Sequence, residues 1–411
     1  MSRNSPSNDH SIGGRPPVVD WTTDWDILDP AWVNDPFPIW DALRGSCPIA
    51  RTGRYHGVYL PTRYADIRDI AYDTERFSSR VIAVREQSPS ERDRGGGPPI
   101  TSDPPRHRLA RMALLPPFTP DAVAKVEART RTICCELIDA FADKGRFDGA
   151  VDYAQHIPVK VIAYMLGVPD TDGDRFRGWV TDIFQTSITD TQAMQTALAE
   201  MTEFFRAQLP VRRSRPGNDL VSMLLACRHP DGRPFSENHV LGSLRVLMLG
   251  GIDTTWSAIG STVWHLATHA ADRRRLVAEP ALIPTAIEEF LRAYAPVSMA
   301  REITRDTEVA GCPMKKDELV LLAFPAANRD PAVFAEPDKV IIDRKENRHG
   351  AFGLGIHRCV GSNLARMEMT VALEEWLKRI PDFRLDPSAD VKWSEGTVRG
   401  PRALPLILGK G

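Results

Sequence analysis

No stretch of this sequence approaches the run of about 18 apolar residues that a membrane-spanning helix needs. The beginning of the chain carries no apolar signal region either. Residues 1–17 are rich in Ser, Asn, Gly and Pro and are expected to form a disordered tail ahead of one domain over 18–411. Charge of one sign is also missing. With 52 Lys and Arg against 54 Asp and Glu the formal net charge is −2, which gives no electrostatic case for nucleic acid or an anionic membrane as partner. Cysteine is sparse, at Cys47, Cys134, Cys135, Cys227, Cys312 and Cys359, and no two show metal-ligand pair spacing. All but Cys359 read as reduced thiols of a cytoplasmic protein. No internal repeat is visible.

What is present is mainly helical periodicity. Asp35–Arg44, a helix opened by capping Thr62 and running to Tyr72, Ala122–Asp143, Val151–Leu166, Arg175–Ile188, Gln192–Arg213 and Leu282–Tyr294 are expected helices. Two short strands are expected around a turn at Arg54-Tyr55, and another pair around Gly311. Residues 78–102 lose all pattern, and a loop of that length inside a domain is usually functional or disordered. Arg80, Arg85, Arg92 and Arg94 within it are read as solvated charges. The longest apolar-periodic run, Ser236 to about His269, holds Gly250-Gly251-Ile252-Asp253-Thr254-Thr255 at its middle. Two glycines inside a helix cost about 1 kcal/mol each relative to Ala, so close helix packing or a widened turn must account for them.

Ala351–Gly361 is the stretch with the clearest chemistry. Cys359 lies just before a helix start, behind a loop containing Gly353 and Gly355. A sulfur near the positive end of a helix is favoured as thiolate, and thiolates ligate metals; a plain core cysteine is the competing reading. His107 and Arg111 are four apart and share one helix face, either as solvated cations or as anion ligands. Glu289 and Arg292 are three apart on another helix.

The run Phe352-Gly-x-Gly-x-His357-x-Cys359-x-Gly361 resembles the haem-binding signature of the cytochrome P-450 family. Gly-Gly-x-Asp253-Thr254-Thr resembles its oxygen-activation motif, Glu289-x-x-Arg292 its core ion pair, and Asp-Pro-Pro-x-His107-x-x-x-Arg111 its propionate segment. The resemblance implies a mainly α fold with a small β-sheet region, with one haem b between the long central helix and the Cys-led helix. It makes Cys359 the iron ligand and places Phe352, Gly353 and Gly250 beside the haem. His107, Arg111, Arg301 and His357 would hold propionates. Asp253 and Thr254 would relay protons, and Glu289 and Arg292 would be structural. Loop 78–102 would roof a substrate pocket lined by Val246, Leu249, Val297, Met299, Thr397 and Val398, with the helices of 175–213 as a lid.

The implied activity is insertion of one atom of O2 into a small hydrophobic or aromatic molecule, by C–H hydroxylation or O-dealkylation. No flavin or ferredoxin module is visible, so electrons from NAD(P)H would come through a separate ferredoxin and its reductase. That ferredoxin would dock on a basic cysteine-side face carrying Arg106, Arg108, Arg358 and Arg366. A peroxide-using peroxygenase and a non-catalytic haem-thiolate sensor are the alternatives. The Asp253–Thr254 pair argues against the first, and the lack of a signalling domain against the second.

Overall fold

The computed structural model describes residues 15–92 and 96–409. Most of the expected tail and Arg94 lie outside them, whereas Arg15 is described and ion-pairs with Asp26 and Glu86. Apolar residues at helical spacing, stopped by Gly, Pro or Asp, generate α1 (Pro30–Asn34), α2 (Phe37–Ser46), α3 (Tyr64–Tyr72), α4 (Arg106–Leu114), α5 (Pro120–Asp139), α6 (His156–Leu166), α7 (Gly173–Phe184), α8 (Thr191–Ser214) and α9 (Leu220–Ala226). They are followed by α10 (Glu237–Thr268), α11 (Ala270–Ala278), α12 (Ile283–Ala293), α13 (Phe324–Ala327) and α14 (Ser362–Arg379).

The largest sheet joins β1 (Ile49–Thr52), β2 (Val58–Pro61), β3 (Phe77–Ser78), β5 (Ser298–Ile303) and β8 (Leu319–Ala323) in the order β1-β2-β8-β5-β3. Only its β2–β8 contact is parallel. Smaller sheets pair β6 (Thr307–Val309) with β7 (Cys312–Met314), and β10 (Lys392–Trp393) with β11 (Pro401–Ala403). The last sheet sets β12 (Pro405–Leu408) between β4 (Arg146–Asp148) and β9 (Phe383–Leu385).

The frame of the molecule is α10, about 48 Å long at 1.5 Å per residue. Ser236 caps it by accepting from the His239 N–H, and the backbone leaves helical geometry at His269. Its second half, from Ile252 to Ala267, is buried almost all round, as a helix through the middle of a core must be. It packs on α6, α14 and the strand β11. The hairpin after β10 reaches α10 closely: a side chain at Gly400 would overlap Ser257, so only glycine fits there.

Several local expectations are corrected. The helix expected from Thr62 starts at Tyr64; Thr62 donates to the Pro48 carbonyl, and Asp330, far along the chain, accepts the Tyr64 N–H. The expected turn at Arg54-Tyr55 is a short 3₁₀ segment, Arg54–His56, in which buried Tyr55 takes a left-handed conformation and its hydroxyl bonds Asp26. Arg92 is not solvated: its side chain is 2 % exposed and donates to the Asp317 carbonyl. Arg85 reaches over to the end of α7, donating to Ser187 Oγ and the Ile183 carbonyl. Arg80 keeps half its side chain in solvent.

One core residue breaks the pattern. Glu368, on α14, is 1 % exposed and its Oε2 has no hydrogen-bond partner. Burial raises its pKa well above the ordinary carboxylate range. A group whose folded pKa is raised contributes its stability at low pH and loses it as pH rises through that pKa. Glu368→Met, similar in volume, is therefore expected to be more stable by about 1–3 kcal/mol near neutrality. The gap should widen towards alkaline pH, as read by urea melts across pH. A gap that closed as pH rose would contradict the assignment.

Candidate active site

The cysteine loop is tied at both ends. Cys359 donates its N–H to the Phe352 carbonyl at 2.7 Å, and Gly350 donates to Asn328 Oδ1 at 2.7 Å. Gly353 and Gly355 have φ of 76° and 70°, in the left-handed region that glycine tolerates. At Gly355 the backbone of Ala71 also leaves no space for a side chain. Although Cys359 is exposed as a residue, desolvation around its sulfur pushes the thiol pKa up. The Gly361 N–H and the guanidiniums of Arg111, Arg358 and Arg366 act in the opposite direction. One backbone donor and three cations thus bear on the sulfur, a setting that would suit a ligand thiolate.

Close by is a cluster of two histidines and two arginines, on which Asp103 is the carboxylate that bears, acting on His107 and Arg301. The rings of His107 (α4) and His357 (cysteine loop) lie 4.4 Å apart, and Nε2 of each is buried without a partner. Arg301 on β5 is 3 % exposed and donates to the neighbouring Ala300 carbonyl. Arg111 makes no ion pair among the described residues. Burial, then Arg301, His107 and Arg111, push His357 down to about 3. Burial likewise lowers His107, and lowers Arg301 to about 10. A buried cluster of this kind calls for negative charge from outside the chain.

On α10, Asp253 is wholly buried and bonds through Oδ1 to Arg402 Nη2 at 2.6 Å. Burial raises its pKa and Arg402 works the other way. The hydroxyl of Thr254 donates to the Gly250 carbonyl at 3.0 Å. The helix shows no widened turn there, being α-helical throughout Glu237–Thr268. Space is open for 4 Å around the position a side chain would take at Gly250.

The chain matches the family model "Cytochrome P450" over residues 174–397. It belongs to the cytochrome P-450 family. It is 34 % identical over 374 residues to the mycinamicin IV hydroxylase/epoxidase of Micromonospora griseorubida, covering 89 % of this chain and 94 % of that one. It is 36 % identical over 374 residues to a steroid C26-monooxygenase of Mycobacterium tuberculosis, covering 89 % and 98 %. A crystal structure of a Bacillus megaterium member in complex with testosterone superposes with TM-score 0.83 at 30 % identity, covering 91 % and 98 %.

The protein is thus a cytochrome P-450 monooxygenase, and the family's cofactor is haem. The residues present fit that group. A thiolate in a donor-rich loop suits iron, the orphaned His107 and His357 nitrogens with Arg111 and Arg301 suit two propionates, and the space at Gly250 suits a flat macrocycle. Glu289 and Arg292 are fully buried and paired through both carboxylate oxygens at 2.8 Å. Arg344, Asn347 and the Ile341 N–H complete the shell of Glu289.

Among the proposed pocket residues, Val297 and Val398 pair as an isolated bridge, and Val246 lies against the backbone of the loop at Gly97. Leu249 and Met299 are half-buried. Thr397 lines a small cavity of about 20 Å³ with Trp32, Trp40 and Arg399. Sequence reasoning missed Arg402, Arg344, and the triad Glu288–Arg366–His349. In that triad Arg366 donates to Glu288 at 2.6 and 2.8 Å and holds its carboxyl down at about 2 with His349.

Proposed function

We propose that this cytochrome P-450 inserts one oxygen atom from O2 into an apolar small molecule, by C–H hydroxylation or O-dealkylation. Electrons come from NAD(P)H through a separate ferredoxin and its reductase, which places the enzyme in the cytoplasm. The observation that supports this best is the buried acid Asp253 next to the hydroxyl of Thr254 on α10. Haem held by Cys359 would supply the oxygen chemistry, since thiolate ligation favours O–O cleavage. This chain's own residues orient and protonate. His107, Arg111, Arg301 and His357 would hold the propionates, and Phe352, Gly353 and Gly250 would border the ring. Asp253 holds a proton at its free Oδ2, and Thr254, its O–H given to Gly250, keeps lone pairs with which to accept one.

Apolar Val246, Leu249, Val297, Met299 and Val398 favour an apolar substrate. Relatives named for a steroid and a testosterone complex favour a steroid-sized molecule over a small aromatic acid. The test is a spin-state titration with steroids, macrolides and aromatic acids, followed by turnover of the hits with ferredoxin and reductase or with H2O2 alone. Ferredoxin-dependent turnover is the expected result. Efficient peroxide-driven turnover, or binding without turnover, would overturn the reading.

For the ferredoxin, Arg106, Arg108 and Arg358 are exposed and make no ion pair among the described residues. Arg366 is withdrawn from that patch by Glu288. Free cations on one face steer an acidic partner, with an on-rate that falls as salt rises. Charge reversal at Arg106 and Arg108 together should slow reduction by roughly tenfold or more at low salt. The substrate-induced spectral shift should not change. Equal reduction rates at low salt would remove this docking site.

A further inference from the structure

Residues 15–18 are tied across the molecule at several points. Arg15 donates from Nη1 to Asp26 Oδ2 at 3.1 Å and ion-pairs with Glu86, and its guanidinium lies over the Tyr55 ring, 4.7 Å from the centroid. Two backbone groups fix the residues after it. The Pro16 carbonyl accepts from Arg54 Nη2 at 3.1 Å, and the Val18 N–H donates to Asp29 Oδ2 at 3.0 Å. Asp26 is 1 % exposed and is also held by Arg54, the Tyr55 hydroxyl and the Leu28 N–H. Glu86, the other acid that Arg15 meets, belongs to the first part of loop 78–102.

That part of the loop has its own grip on the other side. The Glu86 N–H donates to the Ile188 carbonyl at 3.1 Å, and the Ile82 carbonyl accepts from Ala300 on β5 at 2.9 Å. Ile188 lies in a 3₁₀ turn after α7, so close to Gly396 that a side chain there would overlap it. Gly396 adjoins Thr397 and Val398, and Ala300 adjoins Met299. Val81 and Val84 pack in one core cluster with Tyr55, Ile188 and Ala300. A continuous chain of contacts therefore runs from Arg15 through residues 82–86 to the segments proposed to line the pocket.

We propose that residues 15–18 are a strap that latches the 82–86 part of loop 78–102 closed over the pocket, with Arg15–Glu86 as the latch. The inference rests on the pocket of the proposed function, which this loop would roof. Burial decides which bond of Arg15 opens. Asp26 is buried with four partners, so that end stays. Glu86 keeps 35 % of its side chain in solvent and Arg15 21 %, so this pair can part without leaving a bare charge in the core. Loops that close over a site often set how fast ligands enter and leave. A latch that favours the closed form equally in the free and the occupied protein slows entry and exit together and leaves affinity unchanged. As a water-facing ion pair it weakens when salt screens it.

The probe is 4-phenylimidazole at pH 8, where an imidazole is neutral, mixed with the haem-loaded protein in stopped flow and followed by the haem band. It needs no electrons, O2 or substrate, so the result is independent of the reaction proposed above. Arg15→Gln and Glu86→Gln should each raise the association and dissociation rates by roughly fivefold at low salt, with Kd unchanged. The double variant should be no faster than either single one, because both remove the same bond. Wild-type rates should climb towards those of the variants as NaCl rises, a readout that requires no substitution to fold. Variants with unchanged rates, wild-type rates that ignore salt, or single effects that multiply in the double variant each overturn the latch. A change in dissociation alone, with weaker affinity, would put the two residues in the binding site itself and overturn it as well. If the azole gives no shift of the haem band in wild type, the pocket above the iron is wrong and the latch falls with it.

Discussion

In a Cys359→His protein, haem should still be retained, while the reduced carbon monoxide complex loses its thiolate-type Soret band and turnover falls below detection. Retention is expected because the cluster proposed to hold the propionates, His107, Arg111, Arg301 and His357, does not include Cys359. The loop is also held by its backbone, Cys359 N–H to the Phe352 carbonyl, whatever the side chain. What disappears is the charge. The Gly361 N–H and Arg111, Arg358 and Arg366, which favour the thiolate, would face an anion once iron is bound in wild type and a neutral imidazole in the variant. A neutral ligand cannot push electron density as a thiolate does. Reduced-CO difference spectra of the two purified proteins decide the matter. A wild type without the thiolate band, or a variant that keeps it, would show that another residue ligates the iron.

Asp253→Asn and Thr254→Ala should both lose product formation, but differently. Asn cannot supply a proton, so O2 consumption itself should slow by about 10²–10⁴, the usual range for a lost general acid. Asn is also nearly isosteric and can still accept from Arg402, so the hairpin should stay docked. Thr254→Ala leaves the acid in place and removes the hydroxyl beside it. O2 and NAD(P)H should continue to be consumed, with most of the oxygen released as H2O2. The back-bond from Thr254 to the Gly250 carbonyl is what a purely structural mid-helix Thr would make. Tightly coupled product formation in Thr254→Ala would mean that this bond is the hydroxyl's whole role. Measuring O2, H2O2 and product together in one assay separates the outcomes.

The parts of this protein legible from sequence are those written locally. The cysteine loop and the Glu289–Arg292 pair each lie within a dozen residues, so the local motifs and their resemblance to the family's were enough to single them out. The parts that were not legible are made by distance. Arg402 meets Asp253 across 149 residues, and Arg366 meets Glu288 across 78. Nothing beside Arg402 in sequence marks it as the partner of an acid on another element. The cap of α3 was misplaced for the same reason: Asp330 took the Tyr64 N–H, and Thr62, with the better local chemistry, was left to bond Pro48. Arg92 was read as solvated because unpaired arginine usually is, and the Asp317 carbonyl that receives it is 225 residues away.

The shell around Glu289 and Arg292 also bears on how this part of the chain can change over evolution. Arg292 donates to the carbonyls of Asn328, Pro337 and Lys339, and Glu289 receives the N–H of Ile341. These bonds end on backbone, which every residue type supplies. The irregular segment from 328 to 341 is therefore held on its course by two side chains outside it. Positions such as 337 and 339 are free to drift in sequence without altering that course, so variation can accumulate here while the segment still delivers the cysteine loop to the same place. Positions 289 and 292 have no such freedom, because either one anchors several bonds at once.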